Sequence, residues 1–300
     1  MHFPNTGRVL GHHSFPLLRT LTISQTSWDS TSLPVEFFKN SPLLSELSAT
    51  IIAPSLLSVP WHQLSKFTGE YYDLGHILEV LRLSPNLIET SLTPFGPDLD
   101  DLSPVNHSNL QSLTLYQNSD IRGLQVLRFL TLPALRTFQI LHFEEGASEE
   151  DAIAPFLSRS SAALQKVVIG TSLPASFSVE VFYQTSTLVD LEIWAPRASF
   201  LVDFFRVLEN LDPDFLPRLR HLVFLHCITY PYLLSSLEAG LAARWRARPE
   251  FAELSFRFEW VSRAYPESAE DFEVQLLPFK KLVADGMDIQ MQGGLMTSYI

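Results

Sequence analysis

Few side chains in this sequence could bind a metal or act as nucleophiles. His221, His226 and Cys227 lie close together, and a metal site would need them to converge on one point. His226 and Cys227 are adjacent, so in an extended segment they project to opposite faces. The group reads as one core thiol beside two surface imidazoles. Asp98, Asp100 and Asp101 offer oxygens to a hard cation, but the stretch lacks the glycine and terminal glutamate of a calcium loop and reads as solvated. The densest acidic group is Glu144, Glu145, Glu149, Glu150 and Asp151. It would attract a basic partner over distance, although charge at a helix start is the plainer reading. Asn106-His107-Ser108 has the form of a glycosylation acceptor, which matters only in an exported chain.

The sequence has no phosphate loop ending in Gly-Lys, no Gly-x-Ser-x-Gly turn and no His-Glu-x-x-His pair. The expected catalytic, cofactor-binding and metal-binding residues are therefore none, and no cofactor is implied. The chain reads as a binding protein. An enzyme with a loop-borne site is the remote alternative.

The elements that would position binding side chains follow from composition and pattern. The chain has 300 residues, 46% apolar and 18% charged, enough for a large core and too apolar for global disorder. No window reaches the roughly eighteen apolar residues of a membrane span, and the start lacks the basic and apolar parts of a secretory signal. A single cysteine excludes a disulfide framework. The expected location is cytoplasmic or nuclear, with no membrane partner. A net charge of −12 argues against nucleic acid as a partner, since phosphate binding needs clustered Lys and Arg.

Leucine is the commonest residue, at 49 of 300, and it recurs in one phrase: an apolar anchor, two variable residues, an apolar residue, one variable residue and a further apolar residue. The copies are Leu18-Leu21-Ile23, Leu44-Leu47-Ala49, a degenerate Leu64-Phe67-Gly69, Leu87-Thr90-Leu92, Leu110-Leu113-Leu115, Leu135-Phe138-Ile140, Leu164-Val167-Ile169, Leu188-Leu191-Ile193, Leu219-Leu222-Phe224 and Phe251-Leu254-Phe256. Met287, Ile289 and Met291 mark a further strand. Anchors lie 20 to 32 residues apart, straddling the period of leucine-rich repeats, about 20–29 residues. Two copies extend to Asn118 and Cys227, where such a repeat calls for Asn or Cys, and that residue is expected to turn inward. Proline stands two residues before the anchor at Pro16, Pro42, Pro85, Pro133, Pro217 and Pro249, where it would end the preceding helix.

Alternation within each phrase predicts a short strand with two aliphatic side chains inward. Helical spacing between phrases predicts helices over 75–83, 121–130, 149–157, 200–211 and 232–245, and a last one within 262–284. Parallel strands require such crossovers. The fold class is α/β: a leucine-rich repeat solenoid of about ten to eleven repeats, its curved parallel sheet on the concave side and its helices on the convex side. Residues 1–14 form a segment without a recognisable cap, 15–261 the solenoid, and 262–300 a terminal helix and last strand that cap it. An ordinary doubly wound sheet would not repeat one phrase at so short a period.

The open sheet face then carries Thr22, Ser24, Thr114, Tyr116, Gln139, Leu141, Val168, Glu192, Trp194, Val223, Leu225, Ser255 and Arg257. Of these Tyr116, Gln139, Leu141, Glu192, Trp194, Leu225 and Arg257 are the expected protein-binding residues. Tyr116, Leu141, Trp194 and Leu225 hold equivalent places in their phrases, and aromatic and Arg side chains favour interface hot spots.

Segments such as SPNLIETSL (84–92), LPALRTFQI (132–140) and LPRLRHLVF (216–224), with the WHQLSKFTG stretch (61–69), resemble fungal F-box/leucine-rich repeat proteins of the basidiomycete type, over about Phe15 to Met291. The resemblance implies a substrate receptor of a cullin–RING ubiquitin ligase, whose repeats hold the target while an F-box binds a Skp-type adaptor. No Leu-Pro-led F-box helix precedes the first phrase, so adaptor binding is expected only if an F-box lies outside this chain. A repeat-only interaction protein unrelated to ubiquitin transfer is the alternative.

Overall fold

A computed structural model describes residues 15–25, 36–95, 102–117, 121–142, 152–170, 177–228, 231–247, 254–262 and 269–295. The chain divides into two compact units, Met1–Gly146 and Ala147–Ile300. The first holds strands β1 (Thr20–Ser24), β2 (Glu46–Thr50), β3 (Lys66–Tyr72), β4 (Glu89–Pro94), β5 (Val105–Asn106), β6 (Ser112–Gln117), β7 (Leu130–Thr131) and β8 (Thr137–His142), and helix α1 (Leu74–Leu83). Its main sheet runs β1-β2-β3-β4-β6-β8, every pair parallel and in chain order, while β5 and β7 pair separately. The second unit holds β9 (Lys166–Gly170), β10 (Asp190–Trp194), β11 (His221–Ile228), β12 (Ser255–Ser262) and β13 (Asp288–Leu295), again parallel and in chain order, with helices α2 (Ile153–Ser160), α3 (Ala198–Glu209), α4 (Pro231–Ala247) and α5 (Ala269–Ala284). The fold is α/β, a leucine-rich repeat type of solenoid, in which, within each unit, the strands of the main sheet follow one another through crossovers.

The phrase is visible in the register. In the first unit Leu21, Leu47, Phe67, Thr90, Leu113 and Phe138 are successive cross-strand partners. All six are buried on one face. Two weak copies have physical explanations. Thr90 sits in the core because its hydroxyl donates to the Phe67 carbonyl at 3.2 Å, which meets its one obligatory partner. At Gly69 a Cβ would stand 2.7 Å from Cε1 of Phe67, so the Phe67 ring already fills the space that a larger residue would take.

The second unit repeats the pattern through Val167, Leu191, Leu222, Phe256 and Ile289. Here the expected tenth copy is displaced. Phe256 is the partner of Leu222 and Phe258 that of Phe224, so the inward pair is Phe256 and Phe258, two residues later than the phrase suggested. A slip of two keeps each side chain on its face, and Ser255 and Arg257 still point outward.

The prolines act in a tighter way than helix termination. Most anchor amides donate to the carbonyl three residues earlier, as in Leu44 to Ser41 at 3.1 Å, Leu87 to Ser84 at 3.1 Å, Leu135 to Leu132 at 3.1 Å and Leu219 to Leu216 at 3.2 Å. Pro42, Pro85, Pro133 and Pro217 therefore take the second place of a β-turn, where their fixed φ is already correct. Ala162 and Ser186 hold the same place without proline, in turns closed by Leu164 and Leu188. After the turn comes a recurring fork. The carbonyl just after one anchor accepts two amides of the next repeat: Arg19 from Ser45 and Glu46, Ser45 from Ser65 and Lys66, Ser65 from Ile88 and Glu89, Gln165 from Val189 and Asp190.

Helices cover the inward face. Phe204 and Phe205 of α3 bring their rings 5.4 and 5.7 Å from Phe224 on β11, and Phe205 lies 6.2 Å from Phe256 on β12. Burying each such side chain contributes about 1.5–3 kcal/mol. The α4 helix packs on α3 so closely that a Cβ on Gly240 would meet the Phe205 carbonyl oxygen at 2.7 Å. One expected helix differs. Ile121–Phe129 is a 3-10 helix, in keeping with a short segment that contains Gly123 and lacks the length to sustain an α-helix. Further 3-10 turns at Pro54–Leu56, Trp61–Gln63 and Val179–Gln184 replace helices in the shorter repeats.

Candidate functional site

The face away from the helices is built by strand alternation, and its upper edge by a recurrent break in that alternation. Seven residues after the anchor, Ile51, Tyr71, Ala195 and His226 have φ of 59°, 58°, 45° and 54°. A left-handed residue reverses the side-chain alternation, so the next residue turns in: Ile52, Tyr72, Pro196 and Cys227 are all buried. That is the place of the Asn or Cys in the repeat. Cys227 is fully enclosed, its sulfur 3.8 Å from the Leu225 carbonyl, and burial, with Glu259 nearby, pushes its thiol up. It is a core side chain with little thiolate character. His226 is left outside. Asn118, the other expected inward residue, lies outside the described residues.

In the first unit the outer face is dominated by small hydroxyls. Thr22, Ser48, Thr68, Ser91, Thr114 and Gln139 form one cross-strand row, flanked by the Lys66–Glu89 ion pair at 2.7 Å. The row accords with the good fit of Thr to a half-exposed pleat. Tyr116 and Leu141 are direct neighbours on β6 and β8 and both are half-buried. An aromatic pair escaped the sequence reading. Tyr71 and Phe95 meet edge to face at 6.2 Å, both exposed. Tyr71 was hidden because strict alternation would have sent it inward.

In the second unit Glu192 and Trp194 on β10 face Val223 and Leu225 on β11, and Val223 faces Arg257 on β12. Trp194 and Leu225 are half-buried and Arg257 is exposed. The Trp194 indole N–H donates to Oε1 of Glu192 at 2.6 Å, which fixes the ring, and the His226 imidazole meets that ring edge to face at 6.0 Å. Glu259 is 3.6 Å from Arg257 and its Oε1 is 3.7 Å from Nδ1 of His226. The structure thus groups Glu192, Trp194, Leu225 and Arg257 in one unit and Tyr116, Gln139 and Leu141 in the other. His226 and Glu259 join the second group. They were missed because the bulge between Phe224 and Cys227 is not written in the apolar pattern.

The remaining polar candidates divide cleanly. His221 pairs with Asp190 at 3.7 Å on the outer face, away from buried Cys227. Among the described residues no group of three or more His, Cys, Asp or Glu side chains is arranged to hold a metal. Asp98, Asp100 and Asp101 and the 144–151 acidic group lie outside the described residues. His107 of the glycosylation-like triplet is buried: its Nδ1 accepts from the Leu110 amide at 3.1 Å, and its Nε2 stands 2.9 Å from the Ser84 carbonyl. The imidazole closes the turn that a carbonyl closes in other repeats. Among the described residues no helix is long and apolar enough to cross a membrane.

Fold and face together define the class, a leucine-rich repeat type of solenoid whose outward sheet face is polar in the first unit and carries an aromatic and apolar patch in the second. Compared with protein-family models and with curated proteins, the chain matches none.

Proposed function

We propose that this chain is a non-catalytic scaffold that holds another protein against the outer face of its sheet. The observation that carries this reading is the aromatic and apolar patch of Trp194, Leu225 and Val223, half-buried, with Glu192 set among them and Glu259, Arg257 and His226 at its rim. An apolar centre with a charged rim is the composition of a recognition surface. Tyr116 and Leu141 offer a like pair in the first unit. The resemblance of the repeat segments to F-box/leucine-rich repeat proteins supports a finer version, in which the held protein is a target for ubiquitin transfer and a Skp-type adaptor binds an F-box outside this chain. The expected setting is cytoplasmic or nuclear.

Replacing Trp194 and Tyr116 together by Ala tests the face. Affinity capture with the intact protein and with the double variant, read by quantitative mass spectrometry, should lose a defined set of partners while the circular-dichroism melting curve stays in place. Equal recovery by both proteins would remove this face from the proposal. Co-capture of a Skp-type adaptor by a form extended to include an F-box would support the ligase version; a partner set without ubiquitin-ligase components would favour a repeat-only interaction protein.

A further inference from the structure

Glu192 is the one charged residue set within the apolar patch. Its cross-strand neighbours on β9 and β11 are Val168 and Val223, about 4.8 Å to either side. Val168 is buried and Val223 half-buried. Among the described residues no cation pairs with Glu192; its Oε1 accepts the indole N–H of Trp194. Glu259, by contrast, already stands beside Arg257 and His226. A protein that covered Trp194 and Leu225 would also strip water from the Glu192 carboxylate. Burying an unpaired carboxylate costs several kcal/mol, so a surface that fits this patch must bring a positive charge to it.

We propose that the protein held on this face presents an arginine side chain that pairs with Glu192 and stacks on Trp194. The inference rests on the scaffold reading and names the chemistry of its partner. Arginine fits better than lysine for two reasons. The planar guanidinium can donate to a carboxylate oxygen while lying on an aromatic face. Its aliphatic stem can also rest on Val223 and Leu225, as long cationic side chains do on apolar surface.

The test uses the full chain and the indole N–H signal of Trp194, assigned by its loss in Trp194→Phe. The probe is a short peptide in which Arg alternates with Leu, against the same peptide with citrulline, the neutral counterpart of arginine. The Arg peptide should shift the Trp194 signal saturably, and in Glu192→Gln its apparent affinity should fall about tenfold, the loss of one charge-assisted hydrogen bond. Glu259→Gln should have a smaller effect. Equal shifts from the citrulline peptide, or unchanged affinity in Glu192→Gln, would overturn the proposal. If the arginine test fails while the Trp194/Tyr116 double variant still loses its partners, the scaffold reading stands and the assigned partner chemistry falls. If the double variant loses nothing, the scaffold face itself is wrong.

Discussion

At the scale of single residues, the left-handed position seven places after the anchor decides what faces outward. It is held by Ile51, Tyr71, Ala195 and His226, none of them glycine, and such conformations cost about 1–2 kcal/mol for an L side chain. The cost is tolerated because the same twist delivers Ile52, Tyr72, Pro196 or Cys227 into the core. Ala195 is exposed and its methyl has little packing to lose. Ala195→Gly should therefore raise stability by about 0.5–1 kcal/mol, measured as a higher urea midpoint at constant m. A lower midpoint would mean that the twist is not strained. The composition contained the residues that flank this position, but not the twist, because nothing in the side-chain types at 51, 71, 195 and 226 marks a common backbone state.

At the scale of elements, helix α1 carries a charge device at its start. Asp73 caps it, accepting the His76 amide at 2.8 Å, and its other oxygen lies 2.8 Å from Nδ1 of His76. Half-burial alone would raise the Asp73 carboxyl, but hydrogen bonds from His76 and Gly75 outweigh it and hold it below its ordinary 3.8. The hydrogen bond to Asp73 raises His76 above its ordinary 6.5, against the opposing effect of burial. The His76 contribution is complete below pH 6.5 and is lost as pH rises through the raised value. The Asp73 contribution is complete above pH 3.8 and is lost as pH falls through the lowered value. The pair thus supports α1 most between those two points. His76→Gln should flatten the loss of stability on passing upward through neutrality, read from melting temperatures across pH. An unchanged slope would show that the pair is too solvated to matter, since about a third of each side chain is exposed.

A second element-scale prediction concerns the contact of α3 with α4. Gly240→Ala would gain helix propensity of about 1 kcal/mol, yet its new methyl would press on the Phe205 backbone. Backbone cannot yield as a flexible side chain can, so overpacking should win, with a net loss of about 1–3 kcal/mol by chemical denaturation. A stabilised variant would mean that the two helices can separate slightly without loss.

At the scale of the whole molecule, stability is distributed along the chain by neighbour contacts, as in other stacked repeats. Leu113→Ala in β6 should cost about 2–5 kcal/mol, since Leu113 is fully buried between Thr90 and Phe138. Hydrogen exchange should show protection falling first in β4, β6 and β8 and least in β11 to β13. Uniform loss would instead indicate one cooperative block. The repeat was legible because anchors such as Leu110 and Leu219 head alternating apolar residues, and those positions became strands. The surface was legible only where alternation holds: Gln139, Leu141, Glu192, Trp194 and Arg257 face outward as expected, whereas His226 and Tyr71 needed the bulge. The helices were less legible, because a crossover can be closed by an α-helix, a 3-10 turn or a β-turn with the same apolar residues inward.

The fork at the foot of the strands has a consequence for how this chain can change. Because Arg19, Ser45, Ser65 and Gln165 each take two amides from the repeat that follows, alignment is set locally, at the entry to each strand. Whatever lies between one strand and the next has no say in it. Connectors of very different size, from the 20-residue step at Leu44 to the 31-residue step at Leu188, whose following carbonyl, Val189, takes the amides of Arg220 and His221, can be exchanged, lengthened or trimmed while the neighbouring strands keep their seats. New surface can thus be grown on such a chain without renegotiating its frame.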